Sequence, residues 1–233
     1  MKKIIRKLRR RLLFAKFGFS PKIERVAYRM FGSEYGGWPV VTEVLNSQSV
    51  VLSFGLGEDI SFDLEIMEAF DLTLHGFDPT PKSLAWLSSQ ELPARFKVHG
   101  VGLADKDGEL TFDVPANRDH ASYSATANRE GAQTVSLPVK RIETIFNELA
   151  LEKIDVLKMD IEGSENSVIA DLLKGNIRPV QILVEYHHRI HKTPLTETME
   201  SIGALEKAGY RLFWVSNMGD EFAMIMKDTL PST

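Results

Sequence analysis

Three charged residues alternate through the run Asp155-Val156-Leu157-Lys158-Met159-Asp160-Ile161-Glu162-Gly163-Ser164-Glu165. Lys158, Asp160 and Glu162 fall at every second position, so a strand over this run puts all three on one side. The intervening residues are apolar, which makes the strand a buried one, and buried charge needs compensation. A charged row at the carboxyl end of such a strand marks a site, because ligands of open α/β sheets bind at that end. The plain structural alternative is an ion pair between Lys158 and a carboxylate. Further along, Glu185-Tyr186-His187-His188 closes another apolar run. A carboxylate or a neutral imidazole there can accept a proton near neutral pH. Asp160, Glu162, Glu185 and His187 are therefore the candidate catalytic residues. The same groups are oxygen and nitrogen donors of the kind a divalent metal takes. No tight ligand spacing such as His-x-x-x-His is present, however, and no metal is expected.

A second constellation lies upstream, in Phe54-Gly55-Leu56-Gly57-Glu58-Asp59. Two glycines between a strand and a helix let the backbone approach a ligand closely. A dinucleotide fingerprint would need a third small residue where this chain has Ile60. Glu58 and Asp59 also place two carboxylates where a pyrophosphate would sit. Both features fit a ligand carrying an ammonium and a sulfonium, as S-adenosyl-L-methionine does. The alternative is a simple tight turn. Asp78, in Gly76-Phe77-Asp78-Pro79-Thr80, follows the next apolar run and can accept the hydroxyls of a ribose. It could instead cap the following helix, although Thr80 can do that as well. Gly102 and Leu103 end a third run, where an adenine ring would be sandwiched. Asp107-Gly108 then signals a turn.

The elements that must position these residues follow from periodicity. Strands are predicted over Val50–Phe54, Leu72–Phe77, Phe96–Leu103, Asp155–Ile161 and Val180–Tyr186. Helices are predicted over Glu58–Phe70, Pro81–Ser89, Ser164–Leu173 and Pro194–Ala208, the last with Pro194 just inside its start and Gly209 just past its end. This alternation is the pattern of a parallel α/β sheet. Glu109–Val114 and part of Thr134–Ile142 alternate polar and apolar residues, which predicts an inserted hairpin. Its loop, Pro115–Gly131, either covers a site or is solvated surface. Tyr210–Ser216 and Glu221–Lys227 are joined by so short a turn that they must pair antiparallel.

The chain has 233 residues, enough for one substantial domain. It has no cysteine, which excludes disulfides and thiolate chemistry and suits a reducing cytoplasm. No apolar stretch reaches the length of a membrane span. Net charge is −4, yet residues 1–18 carry eight cations and no acid, so the remainder carries −12. An acidic body argues against nucleic acid as a partner. Ile4, Ile5, Leu8, Leu12, Leu13 and Phe14 run among the cations, as in a basic amphipathic helix that meets an anionic membrane. The alternatives are a terminal helix packed on the domain and a frayed tail. Lys16 interrupts the apolar run, which argues against a secretory signal. Residues 1–30 are read as this arm and 31–233 as the main domain. The expected location is cytoplasmic, with peripheral membrane contact through residues 1–18.

Leu157-Lys158-Met159-Asp160-Ile161-Glu162-Gly163-Ser164-Glu165 resembles the hallmark of the FkbM family of methyltransferases, which typically reads Leu-Lys-Ile-Asp-Val-Glu-Gly-Ala-Glu. Gly102–Gly108, Arg141–Leu149 and the strand ending at Glu185 also fall where that family has them. The resemblance covers about residues 30–227. It implies an α/β, Rossmann-like class I methyltransferase fold with a mostly parallel seven-stranded sheet, a C-terminal antiparallel hairpin and an inserted β-hairpin. It also implies S-adenosyl-L-methionine as cofactor and O-methylation of a hydroxyl on a small molecule or sugar. The first turn departs from the family form Asp-Val-Gly-Ala-Asn-x-Gly. It resembles a divergent branch that also carries an upstream Tyr-Gly-Gly-Trp, here Tyr35-Gly36-Gly37-Trp38. By that resemblance Tyr35, Gly36 and Gly37 close over the methionine end of the cofactor. Read from the residues, Gly36-Gly37 is a flexible turn with a hydrophobic anchor. The expected cofactor contacts are Tyr35, Gly36, Gly37, Phe54, Gly55, Gly57, Asp59, Asp78, Pro79, Thr80, Gly102, Leu103 and Asp160.

Two other readings compete. One is a non-catalytic Rossmann-like binding or interaction module, suggested by the basic arm and the unusual first turn. The other is a nicotinamide-dependent oxidoreductase, against which Ile60 and the terminal hairpin both count.

Overall fold

Short runs that are apolar on both faces are stable as strands only when helices cover both sides of the sheet. The computed structural model describes residues 2–113, 133–188 and 194–230 and shows that arrangement. In chain order the elements are α1 (Lys2–Lys16), β1 (Arg29–Phe31), β2 (Trp38–Val40), β3 (Val50–Phe54), α2 (Ser61–Phe70), β4 (Thr73–Phe77), α3 (Pro81–Ser88), β5 (Phe96–His99) and β6 (Gly102–Leu103). Then come β7 (Gly108–Asp113), β8 (Thr134–Lys140), α4 (Ile142–Glu148), β9 (Val156–Met159), α5 (Glu165–Lys174), β10 (Gln181–Glu185), α6 (Leu195–Lys207), β11 (Tyr210–Val215) and β12 (Glu221–Met226). The predicted loop Pro115–Gly131 lies outside the described residues.

The main sheet has seven strands in the order β11-β12-β10-β9-β3-β4-β5. Only β12 runs against the rest. This is the expected Rossmann-like class I methyltransferase sheet, finished by an antiparallel hairpin. Successive residues feed opposite faces, as the two-residue period requires. Leu52, Leu157 and Ile182 join a cluster with α4, α5 and α6. Val51, Val156 and Leu183 join another with α2, α3 and the β1–β2 hairpin. The parallel strands all deliver their carboxyl ends to one edge, and the chemistry-bearing residues gather there.

Several boundaries differ from the sequence expectation. The strand predicted over Asp155–Ile161 stops at Met159, so Asp160 and Glu162 follow it in a turn. The run Phe96–Leu103 is two strands. β5 pairs with β4 and stops at His99. The chain then turns out of the main sheet, and β6 pairs with β8 of the inserted hairpin, where β7 and β8 run antiparallel. The helix predicted from Glu58 begins at Ser61, because the Asp59 carboxylate takes the Ser61 N–H at 2.9 Å and holds residues 57–60 as a turn. Pro194 is the N-cap of α6 and lies outside its first turn, while Gly209 follows the C-cap with a φ of 103°.

The helix α1 lies against the domain through one face. Phe14 is buried beside Phe19 and Phe222, with ring centroids 4.8 and 6.4 Å away. Arg10 donates to the carbonyls of Val215 and Ser216 at 3.0 and 2.6 Å. The frayed-tail alternative therefore does not describe this segment. Among the described residues no helix is long and apolar enough to cross a membrane.

Candidate active site

A cavity of about 520 Å³ opens at the carboxyl ends of β3, β4 and β9, floored by the turn after β3. The floor depends on backbone contact. Asp160 N donates to Phe54 O at 3.1 Å, and a Cβ on Gly55 would lie 1.8 Å from Asp160 O. No side chain fits there, and the φ of 78° at Gly55 also excludes one. Gly57, with a φ of 55°, faces open space and leaves room for a ligand. Lys158 Nζ donates to Gly55 O at 2.7 Å and Phe54 O at 3.3 Å. Its hydrogen bonds thus go to carbonyls of the turn, and the ion-pair alternative is not the one realised.

At one end of the cavity, Asp78 draws the turns together. Its Oδ2 accepts from Gly57 N at 3.0 Å, and its Oδ1 accepts from Thr80 N and Thr80 Oγ1 at 2.9 and 2.6 Å. Thr80, not Asp78, is the N-cap of α3. A carboxylate oxygen accepts two hydrogen bonds, so Oδ2 keeps one lone pair for a hydroxyl. Pro79, Thr80, Gly102 and Leu103 line the same end, with Phe112 of β7 beside them. Phe54 and Phe77 stack at 4.3 Å beneath it.

At the other end, Asp59 fastens the β1–β2 turn to the floor. Ser33 Oγ donates to its Oδ2 at 2.7 Å, while Oδ1 holds Ser61 N. Gly36 packs so close that a Cβ would lie 2.8 Å from Asp59 Oδ2. Burial alone would raise the Asp59 carboxyl, but the hydrogen bonds from Ser61 and Ser33, with Lys158 nearby, hold it low. Tyr35 stands at the cavity mouth, 91% exposed, and Gly36 lines the wall. The neighbouring Gly37 is not in the lining; it packs against Ser33 O.

The four candidate catalytic residues meet beside this end. His187 Nε2 lies 3.5 Å from Glu162 Oε2, 3.6 Å from Asp160 Oδ1 and 4.0 Å from Glu185 Oε1. Its Nδ1 bonds Glu165 Oε1 at 2.7 Å. Burial disfavours the imidazolium, but the Glu165 bond and the surrounding carboxylates outweigh it and raise His187 to about 10. His187 is thus a resident cation at neutral pH. Burial, then the Asp160 charge, pushes Glu185 up to about 8, and burial with Asp220 pushes Glu221 to about 7. Burial also raises Asp160, against the pull of Lys158 and His187. Donor atoms of Asp160, Glu185 and His187 all lie within 4.8 Å of one another, a set that can hold a divalent cation only once His187 Nε2 has given up its proton. Glu162 takes a φ of 54°, a left-handed conformation costly for a non-glycine residue and frequent at functional sites.

Sequence reasoning gave no role to Glu165, Glu221, Phe112 or Asp63. Glu165 stood at the end of that run, next to Ser164 and off the alternation, and its role depends on His187, which follows β10. Glu221 and Phe112 come from β12 and the inserted hairpin, and only the folded sheet brings them to the cavity.

A parallel sheet with one antiparallel strand, and a cavity beside a cluster of acids at its carboxyl edge, is the arrangement of a class I methyltransferase fold. Residues 49–212 match the methyltransferase FkbM domain, and the chain belongs to that family, whose cofactor is S-adenosyl-L-methionine. The human protein named probable methyltransferase-like protein 24 is 27% identical over 147 residues, covering 62% of this chain and 34% of that protein. The 2-O-methyltransferase NoeI of Sinorhizobium fredii (strain NBRC 101917 / NGR234) is 27% identical over 112 residues, covering 40% of this chain and 45% of NoeI. The chain therefore spans less than half the length of either relative. Among solved structures, the FkbM methyltransferase of Methylobacillus flagellatus KT is similar at a TM-score of 0.48 and 16% identity, over 78% of this chain and 44% of that one. Aeropyrum pernix fibrillarin is similar at 0.45 and 11%, over 87% and 83%.

Proposed function

We propose that this chain methylates a hydroxyl oxygen on a small molecule or sugar. The observation that carries the reading is the cluster of Asp160, Glu185 and His187 against the wall of the cofactor cavity. Asp78, Pro79, Thr80, Gly102 and Leu103 are suited to hold the adenosine. The cavity wall at Tyr35, Gly36 and Asp59 closes the opposite end. When bound, S-adenosyl-L-methionine supplies an activated methyl on its sulfonium. The chain then has to place an acceptor oxygen in line with that methyl and remove its proton. His187, whose positive form Glu165 and the neighbouring carboxylates favour, holds Asp160, Glu162 and Glu185 together. Glu185 in its ionised form, which gains population as pH rises toward about 8, or Asp160 beside it, accepts the hydroxyl proton as the new C–O bond forms. NoeI, named a 2-O-methyltransferase, is consistent with oxygen as the acceptor.

The test is calorimetric titration with S-adenosylhomocysteine, with NAD as control, followed by methyl transfer to a panel of sugars and small alcohols. Micromolar binding of S-adenosylhomocysteine alone is expected. Glu185→Gln is expected to lower kcat by about 10²-fold or more while leaving that binding intact. Binding of NAD alone would revive the oxidoreductase reading, and binding of neither would favour a non-catalytic module.

We also propose that residues 1–30 hold residues 31–233 at an anionic membrane surface. The supporting observation is the outward face of α1, where Ile4, Ile5, Leu8 and Leu12 are 45–74% exposed among lysines and arginines. That stripe is opposite the face that carries Arg10 and Phe14. Apolar side chains can enter the lipid boundary while the cations meet the headgroups. Co-sedimentation with anionic but not zwitterionic vesicles, abolished by Leu8→Glu with Leu12→Glu, is the expected result. Equal sedimentation of the double variant would refute it.

A further inference from the structure

The inward face of α1 is joined to the cavity wall by two chains of contact. The first is polar. Arg10 Nη1 donates to Val215 O at 3.0 Å and to Ser216 O at 2.6 Å, where β11 gives way to the turn before β12. Ser216 Oγ gathers that turn. It donates to Asp220 Oδ1 at 2.8 Å and accepts from Gly219 N and Glu221 N at 3.1 and 3.3 Å. Asp220 O in turn accepts from Tyr186 N at 2.7 Å. Tyr186 follows Glu185 in sequence, and Glu221 is paired with Glu185 across the β10–β12 ladder. Both glutamates line the cavity. The second chain is aromatic. Phe14 stacks on Phe222 with centroids 6.4 Å apart, and Phe222 and Tyr186 meet edge-on at 5.7 Å.

The turn is shaped for α1. Gly219 is buried with a φ of 84°, and a Cβ there would lie 2.7 Å from Arg10 Cγ and 3.0 Å from Phe14 Cζ. Among the described residues Arg10 donates to main-chain oxygens alone, so what it holds is the path of the backbone. Glu185 and Glu221 are like charges directly opposite each other, which loosens the end of a ladder. The contacts with α1 offset that.

We infer that Arg10 is a positioning residue for the cavity wall: it fixes the β11–β12 turn, and through it the place of Glu221 and Glu185 against a cationic cofactor. This rests on the reading of S-adenosyl-L-methionine as cofactor. Arg10 itself lines no part of the cavity. The consequence is charge selectivity. S-adenosyl-L-methionine carries one positive charge more than S-adenosylhomocysteine, so displacing carboxylates of the wall weakens the first more than the second. A general loosening of the fold would weaken both alike.

Calorimetry on the full chain reads this as the ratio of the two affinities. Arg10→Met, of similar length but without donors, is expected to weaken S-adenosyl-L-methionine by about threefold or more relative to S-adenosylhomocysteine. Arg10→Lys, which returns a donor to the same carbonyls, is expected to restore the native ratio. Glu221→Gln removes a charge that the turn delivers and is expected to shift the ratio as Arg10→Met does. A native ratio in folded Arg10→Met overturns the inference and leaves the cofactor reading standing. Should that variant fail to fold, the other two carry the test: the ratio must hold in Arg10→Lys and shift in Glu221→Gln, and any other pattern overturns it. Binding of neither ligand by the native protein removes the cofactor reading and the inference with it.

Discussion

Glu185 carries a carboxyl raised from its ordinary value to about 8 by burial and by Asp160. A carboxyl raised on folding stabilises the fold while both states are protonated, below about pH 4.5, and loses that contribution as pH rises through about 8. The protein without cofactor should therefore lose thermal stability across that window. Glu185→Gln cannot ionise, so it should flatten the fall and melt higher than the native protein at pH 8.5, by roughly 2–4 °C for each kcal/mol recovered. Melting curves at pH 5 and 8.5 check this; equal slopes would remove Glu185 as the cause. Asp78 makes a different demand. Asp78→Ala would release Gly57 and Thr80 together, whereas Asp78→Asn keeps an oxygen for Thr80 N. The asparagine variant should fold and bind S-adenosylhomocysteine about tenfold more weakly, one lost charge-assisted hydrogen bond. The row Lys158, Asp160 and Glu162 was legible in the sequence as a cluster, although only Lys158 lies on the strand; β9 ends at Met159, and Asp160 and Glu162 reach the cavity from the turn that follows. Glu221 and Glu165 were not, because each acquires meaning only from a residue on a distant element.

At the scale of elements, α1 has two jobs on opposite faces. Phe14 is part of the core, while Leu12 is 65% exposed. Phe14→Ala should cost about 3 kcal/mol in chemical denaturation, and Leu12→Ala less than about 0.5 kcal/mol. Similar losses from both would mean that the helix packs differently in solution. The sequence showed an amphipathic helix here but not which side was docked, since Phe14 and Leu12 look equally apolar in a linear reading. The same limit explains the run Phe96–Leu103. Phe96, Val98, Val101 and Leu103 recur through it with no proline between them, and only the pairing partners, β4 for one part and β8 for the other, reveal two strands. The helix α2 starts late for a related reason, because Asp59 accepts from Ser61 N while also gripping Ser33.

At the scale of the molecule, alternation of strand and helix patterns revealed a parallel sheet, and the short last turn revealed its antiparallel finish. Strand order could not be read in this way, for a crossover does not record which neighbour it reaches. That order has a consequence for how the protein is made. The last strand of this sheet to leave the ribosome, β12, does not add to an edge but sits between β10 and β11. While β12 is still inside the exit tunnel, β10 offers an unsatisfied flank and β11 has no neighbour to bond. Glu221, which β12 carries to the cavity wall, is missing from it as well. Chains halted before residue 221 should thus stay soluble only in the care of a chaperone. Chains halted beyond 226, with room to clear the tunnel, should become protease-resistant in one step.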